Sequence, residues 1–184
     1  NITDTTPVPK ALDETSTAIP ALWQFHPGIS VSSVKNRMKS AKALIAETLP
    51  GIVVYETRLL KSIYERQRVG LIHDSGKLTK SALIVEIENP GSSESIMQSY
   101  EQVQKVQLDN LGKPAQFFER GDVSASLATD IRNGHFIRLI EWDINGAVLR
   151  MGIPRRLDNK ILIEVQFASS FPVKSDPFWS IEEL

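Results

Sequence analysis

Apolar residues recur at helical spacing after residue 95. Ile96, Tyr100, Val103 and Leu111 fall on one stripe flanked by Val106 and Leu108, while Glu94, Gln98, Glu101, Gln104, Lys105 and Asp109 fill the other faces. Ser92 and Ser93 follow Pro90-Gly91 and offer hydroxyls to the free N–H groups of a helix start. Gly112 suits the left-handed position after a helix, and Pro114 prevents continuation. A short strand is expected over 115–119, and a second, shorter helix over 124–132 with Leu127 and Ile131 as its apolar positions.

The pattern then changes period. Asn145-Gly146 accepts the positive φ angles of a two-residue type I′ turn. Counting outward pairs Ile144 with Ala147, Trp142 with Leu149, Ile140 with Met151 and Arg138 with Ile153, so one face of the hairpin is nearly all apolar. The other face carries Asp143, Val148, Glu141 and Arg150, with Glu141 directly across from Arg150 as a solvated opposite-charge pair. A further strand over 161–167 turns Ile161, Ile163, Val165 and Phe167 to one side, and Leu162, Glu164 and Gln166 to the other.

A shorter version of this layout precedes it. Val34, Met38, Ala41, Ile45 and Leu49 predict a helix running to Leu49 and ended by Pro50-Gly51. These positions match Ile96, Tyr100, Val103, Gln107 and Leu111 at one constant offset; only Gln107 is polar. Strands are expected over 52–59, 66–73 and 83–88, with a turn at Asp74-Ser75-Gly76-Lys77. The last of these, from Leu83 to Glu88, resembles Ile161 to Gln166 position by position. The predicted fold class is therefore α+β: an antiparallel sheet with helices on one face, built as two tandem helix-plus-three-strand repeats. The expected organisation is an extended Thr/Pro-rich tether over 1–21, repeats over 22–90 and 91–170, and a C-terminal strap over 171–184 bearing Phe171, Phe178, Trp179, Ile181 and Leu184.

Composition changes this picture little. The 184 residues are 41% hydrophobic and 23% charged, with a net charge of −1, so no general attraction to nucleic acid or anionic membrane is implied. No apolar run approaches the length of a transmembrane helix. The absence of cysteine removes disulfides, cysteine nucleophiles and cysteine–zinc sites. Gly76-Lys77 lacks the spacing and the following hydroxyl of a phosphate-binding loop, since Leu71 and Leu78 hold those positions. His26, His73 and His135 are scattered, and no serine sits in a nucleophile elbow. No catalytic, cofactor-binding or metal site is expected. Glu86, Glu88, Glu141 and Glu164 read as carboxylates of a solvated sheet face with Arg and Lys partners. Arg150, Arg155, Arg156 and Lys160 form one local basic cluster, and Arg58, Lys61, Arg66 and Arg68 another.

The start Gly28-Ile29-Ser30-Val31-Ser32-Ser33-Val34-Lys35, the exit Leu111-Gly112-Lys113-Pro114 and the Trp-bearing meander that follows resemble β-lactamase inhibitor proteins and the related small outer-membrane assembly lipoproteins. The likeness is one of layout, over most of 27–168. It implies a tandem α+β fold and a periplasmic or secreted protein that binds another protein, with room for a lipid anchor upstream of residue 1. The expected function is non-enzymatic protein binding through the polar sheet face, by Glu141, Arg150, Arg155, Arg156, Glu164 and Gln166. Two alternatives are an immunity-type inhibitor of a secreted toxin or enzyme, and a small-ligand binder or enzyme with a helix–sheet cavity.

Overall fold

The computed structural model describes residues 22–88, 91–156 and 158–171, and of Trp23 only the backbone. The expected tether and most of the C-terminal strap lie outside the described residues.

A 3-10 turn, Leu22–Gln24, leads into α1 (Val31–Ser40), followed by β1 (Leu44–Leu49), β2 (Ile52–Glu56), β3 (Arg66–Asp74) and β4 (Lys77–Ile87). The second half repeats the order: α2 (Ser93–Leu111), β5 (Gln116–Arg120), the short α3 (Leu127–Arg132), β6 (Ile137–Ile144), β7 (Ala147–Gly152) and β8 (Ile161–Ala168). All eight strands form one antiparallel sheet in the order β1-β2-β3-β4-β8-β7-β6-β5. The α+β class and the antiparallel sheet are as the sequence predicts. Each half contributes four strands rather than three, and the two halves join through their last strands, β4 and β8. The matching segments are therefore partners, Leu83 opposite Val165 and Val85 opposite Ile163.

The fourth strand of the first half is a correction to the predicted helix. α1 stops at Ser40, and 44–49 is a strand. Ala43 N–H donates to Met38 O and Lys42 N–H to Lys39 O, both at 3.0 Å, while Lys42 takes φ +59°. This is a Schellman stop with lysine where glycine is usual, so the local signal is hidden. Pro50-Gly51, read as a helix exit, is the turn between β1 and β2, with Gly51 at φ +72°. Ile45 and Leu49 consequently leave the helical stripe and are exposed on the strand, while Val34 and Met38 stay buried.

The second half follows its prediction closely. Ser92 caps α2 by accepting from Ser95 N–H at 3.1 Å, and Ile96, Tyr100, Val103 and Leu111 are buried. The β6–β7 hairpin has the predicted register through Ile140 opposite Met151, with Asn145 and Gly146 at φ +48° and +80°. Trp142 is buried and donates from Nε1 to Gly112 O at 3.0 Å, tying the hairpin to the end of α2. The main core lies between the sheet and all three helices, and includes Val34, Met38, Val103, Leu127, Trp142 and Phe167. A separate apolar group on the opposite face consists of Ala82, Ile84 and Leu162, with Ile72 against it.

Candidate functional site: the second sheet face and the β5 edge

Pairing registers put one polar row across the face away from the helices. Ala82, Gln166, Arg150, Glu141 and Gln116 are successive neighbours along it. The adjacent row runs Glu56, Arg68, Ile84, Glu164, Gly152, Leu139, Phe118. Four of the six predicted binding residues, Glu141, Arg150, Glu164 and Gln166, are thus brought together. Their expected solvation is not found. Glu141 is 7% exposed, Arg150 5%, and Glu164 and Gln166 0%. The cause is visible in the chain: Leu83-Ile84-Val85 and Ile161-Leu162-Ile163 are continuous apolar runs, the mark of strands buried on both faces. Alternation alone puts Leu162 on the side of Glu164 and Gln166, the side expected to be solvated.

Electrostatics fit a desolvated network. Burial pulls the Arg150 guanidinium down to about 10, with Glu141 and Glu164 opposing the shift, and the group stays charged at neutral pH. Lys80 is likewise lowered by burial and by Arg150, with Glu164 opposing. The Phe171 ring lies over the Arg150 guanidinium at 3.9 Å and near the Lys80 ammonium at 5.3 Å. Further along the same face, Arg66 pairs with Glu56 and, at 3.2 Å, with Glu86. Arg68 and Lys160 also approach Glu86, at 3.5 and 3.8 Å. Glu88 lies beyond the end of β4 and is exposed.

The other two predicted residues stand apart. Arg155 and Arg156 lie between β7 and β8. Arg155 Nε donates to Arg132 O at 2.7 Å, and Arg156 grips Asp158 with Nε and Nη2 at 2.9 and 2.5 Å. That grip holds the Asp158 carboxyl below its ordinary value. In the other basic cluster, Arg58 stacks on Tyr64 at 5.4 Å, while Arg66 and Arg68 serve the Glu86 network. His26 contacts Phe167 edge-on at 5.3 Å, and its ring nitrogens face Pro27 O and Asn145 O. Among the described residues no group of three or more His, Asp or Glu is placed to hold a metal.

The sheet edges form a second candidate surface, apart from the residues that the sequence predicts. Both edge strands, β1 and β5, are exposed along their whole length. On β1, Leu44 is 71% and Ile45 64% exposed; on β5, Phe117 is 57% and Phe118 43% exposed. β1 is interrupted by a register shift between Ile45 and Glu47, a feature that blunts an edge. β5 pairs with β6 without interruption from Gln116 to Arg120, and among the described residues no strand pairs with its outer edge. Arg138 fixes the end of β5: its Nη1 donates to Arg120 O at 3.1 Å and its Nη2 to Gly121 O at 3.0 Å, with the guanidinium over Phe136. Gly121 is at φ +77°, and a Cβ there would meet His135 O at 2.2 Å, so the chain turns away from the sheet here only with glycine. A cleft of about 200 Å³ beside β5 is lined by Gln116, Phe117, Phe118, Leu139 and Glu141. A more open cleft of about 680 Å³ lies along α2, lined by Ser93, Glu94, Met97, Gln98, Glu101 and Val123. Neither lies between helices and sheet. What the sequence carries of this edge is Phe117-Phe118: adjacent aromatics on one short strand point to opposite faces, and Pro114 and Gly121 bound that strand.

No protein-family model, curated protein or solved structure matches the chain.

Proposed function

We propose that this is a protein-binding protein that takes an extended segment of another protein by strand addition along β5. The observation that carries the reading is an unbroken edge strand exposed throughout, with one phenylalanine on each face. Its outward N–H and C=O groups offer main-chain hydrogen bonds, and Phe117, Phe118 and the cleft between Phe118 and Glu141 offer contacts to alternate side chains. Open apolar edges are ordinarily suppressed by short strands, charge, bulges or cover; β5 is short and charged at Glu119 and Arg120, yet leaves Phe117 and Phe118 exposed beside its edge. The buried residues Glu141, Arg150, Glu164 and Gln166 support this surface from within instead of forming it. Residence in the periplasm or outside the cell rests on the resemblance in layout alone.

The test is selection of random peptides on the whole protein, followed by binding to edge variants. Phe117→Lys and Phe118→Lys are expected to weaken the selected peptides by roughly tenfold or more while leaving the melting temperature nearly unchanged, as a charge on an exposed edge does. Leu44→Lys on β1 leaves binding intact. Peptides that ignore both β5 substitutions would overturn the reading.

A further inference from the structure

The pairing registers determine which main-chain groups of β5 face outward. Arg138 O accepts from Ile153 N–H at 3.2 Å, so Arg138, Ile140, Trp142 and Ile144 of β6 turn their main-chain groups to the β7 side. Glu141 O accepts from Ala115 N–H at 2.7 Å, so Glu141, Leu139 and Ile137 turn theirs to β5. Opposite these stand Gln116, Phe118 and Arg120. The N–H and C=O groups of Phe117 and Glu119 therefore point away from the sheet. Side chains sort by face at the same positions. Phe117 and Glu119 stand beside Ile140 and Arg138 on the helix side, while Gln116 and Phe118 stand beside Glu141 and Leu139 on the second face, where the smaller cleft lies.

We propose, resting on the reading that partners add to β5, that the segment taken is antiparallel and carries in N-to-C order a basic, a branched aliphatic and an aromatic residue, facing Glu119, Phe118 and Phe117. An antiparallel tract of three residues engages every outward group of Phe117 and Glu119; a parallel one needs five residues and makes slanted, slightly weaker bonds. On so short an edge the antiparallel arrangement wins. The side-chain order follows from the neighbours. The exposed Glu119 has Arg138 Nε at 3.9 Å on its inner side, and a cation on its outer side continues the alternation of charge along that row. Phe118, with Leu139 and the cleft beside it, faces the close, non-hydrogen-bonded position of the added strand, which suits a branched aliphatic side chain. Phe117 faces a hydrogen-bonded position on the helix side, where an aromatic ring makes a cross-strand aromatic pair.

The probe is the acetylated, amidated heptapeptide Ser-Thr-Lys-Val-Tyr-Thr-Ser, titrated onto the whole protein by calorimetry. N-methylation of its lysine or tyrosine is expected to weaken binding by roughly tenfold or more, since each change removes a donor to Glu119 O or Phe117 O. N-methylation of its valine, whose N–H points away from β5, is expected to change binding by less than about threefold. Glu119→Lys should reverse the charge preference, so that the heptapeptide with glutamate in place of lysine binds the variant better than the parent peptide does. Sensitivity at valine instead marks a parallel segment and overturns the proposal, as does an unaltered charge preference in Glu119→Lys. Failure of the heptapeptide to bind at millimolar concentration, while selected peptides of another pattern still lose binding with Phe117→Lys, overturns this register and leaves edge addition standing. Selected peptides that ignore both β5 substitutions end both readings.

Discussion

Removing the Glu141 carboxylate tests the buried network most sharply. Glu141 stands directly opposite Arg150, both nearly excluded from solvent, and Arg150 keeps its charge despite burial. Deleting one partner of such a pair leaves an uncompensated buried charge at a cost of roughly 3–5 kcal/mol. Arg150 retains Glu164 and the face of Phe171, so the expected loss for Glu141→Ala is about 2–3 kcal/mol, below the full penalty. Arg150→Met should cost a similar amount, because it takes from the buried Glu141 and Glu164 the cation that both interact with. The double variant Glu141→Leu with Arg150→Met removes both charges and is expected to lose only about 1 kcal/mol, less than either single change. Equilibrium unfolding in urea, with one slope for all four proteins, measures this cycle. A loss within about 0.5 kcal/mol for Glu141→Ala, with additive singles, is the behaviour of an exposed pair and would refute the reasoning.

Other expectations follow from the same packing. Trp142→Ala should cost about 3–5 kcal/mol by urea unfolding, and Trp142→Phe about 1–2, the smaller figure reflecting loss of the bond to Gly112 O with most packing retained. Gln107 is buried on α2 and its Oε1 has no hydrogen-bond partner among the described residues, so Gln107→Leu is expected to raise stability by about 1 kcal/mol. Lys42→Gly, at the positive-φ stop of α1, should stabilise by about 0.5–1 kcal/mol, whereas glycine at a right-handed helical position costs a similar amount. A decrease in the denaturation midpoint for either of these last two variants would contradict the packing described.

The sequence and the fold agree where two local signals coincide. Asn145-Gly146 chemistry and facial sorting both fix the β6–β7 register, and cap, stripe and Gly112 exit all define α2. Disagreement arises where one signal masks another. The i, i+4 spacing of Ala41, Ile45 and Leu49 mimics a helix, while the true stop depends on lysine accepting a left-handed conformation. Polar residues at alternate positions on β7 and β8 read as a wet face, yet Ile84 and Leu162 beside them belong to central strands buried on both faces. The β5 edge is a property of sheet order, with the last strands of the two halves meeting at the centre and β5 left outermost. Short-range pattern in the chain does not encode that order.

Backbone amide exchange across the sheet, with and without a selected peptide, tests the central claim most directly: one sheet closed at β4–β8 and open at β5. The amides of β4 and β8 should be the slowest, while β5 exchanges readily in the free protein and is protected on binding with β1 unchanged. Protection of β5 before any peptide is added, or peptide protection that maps elsewhere, would contradict it.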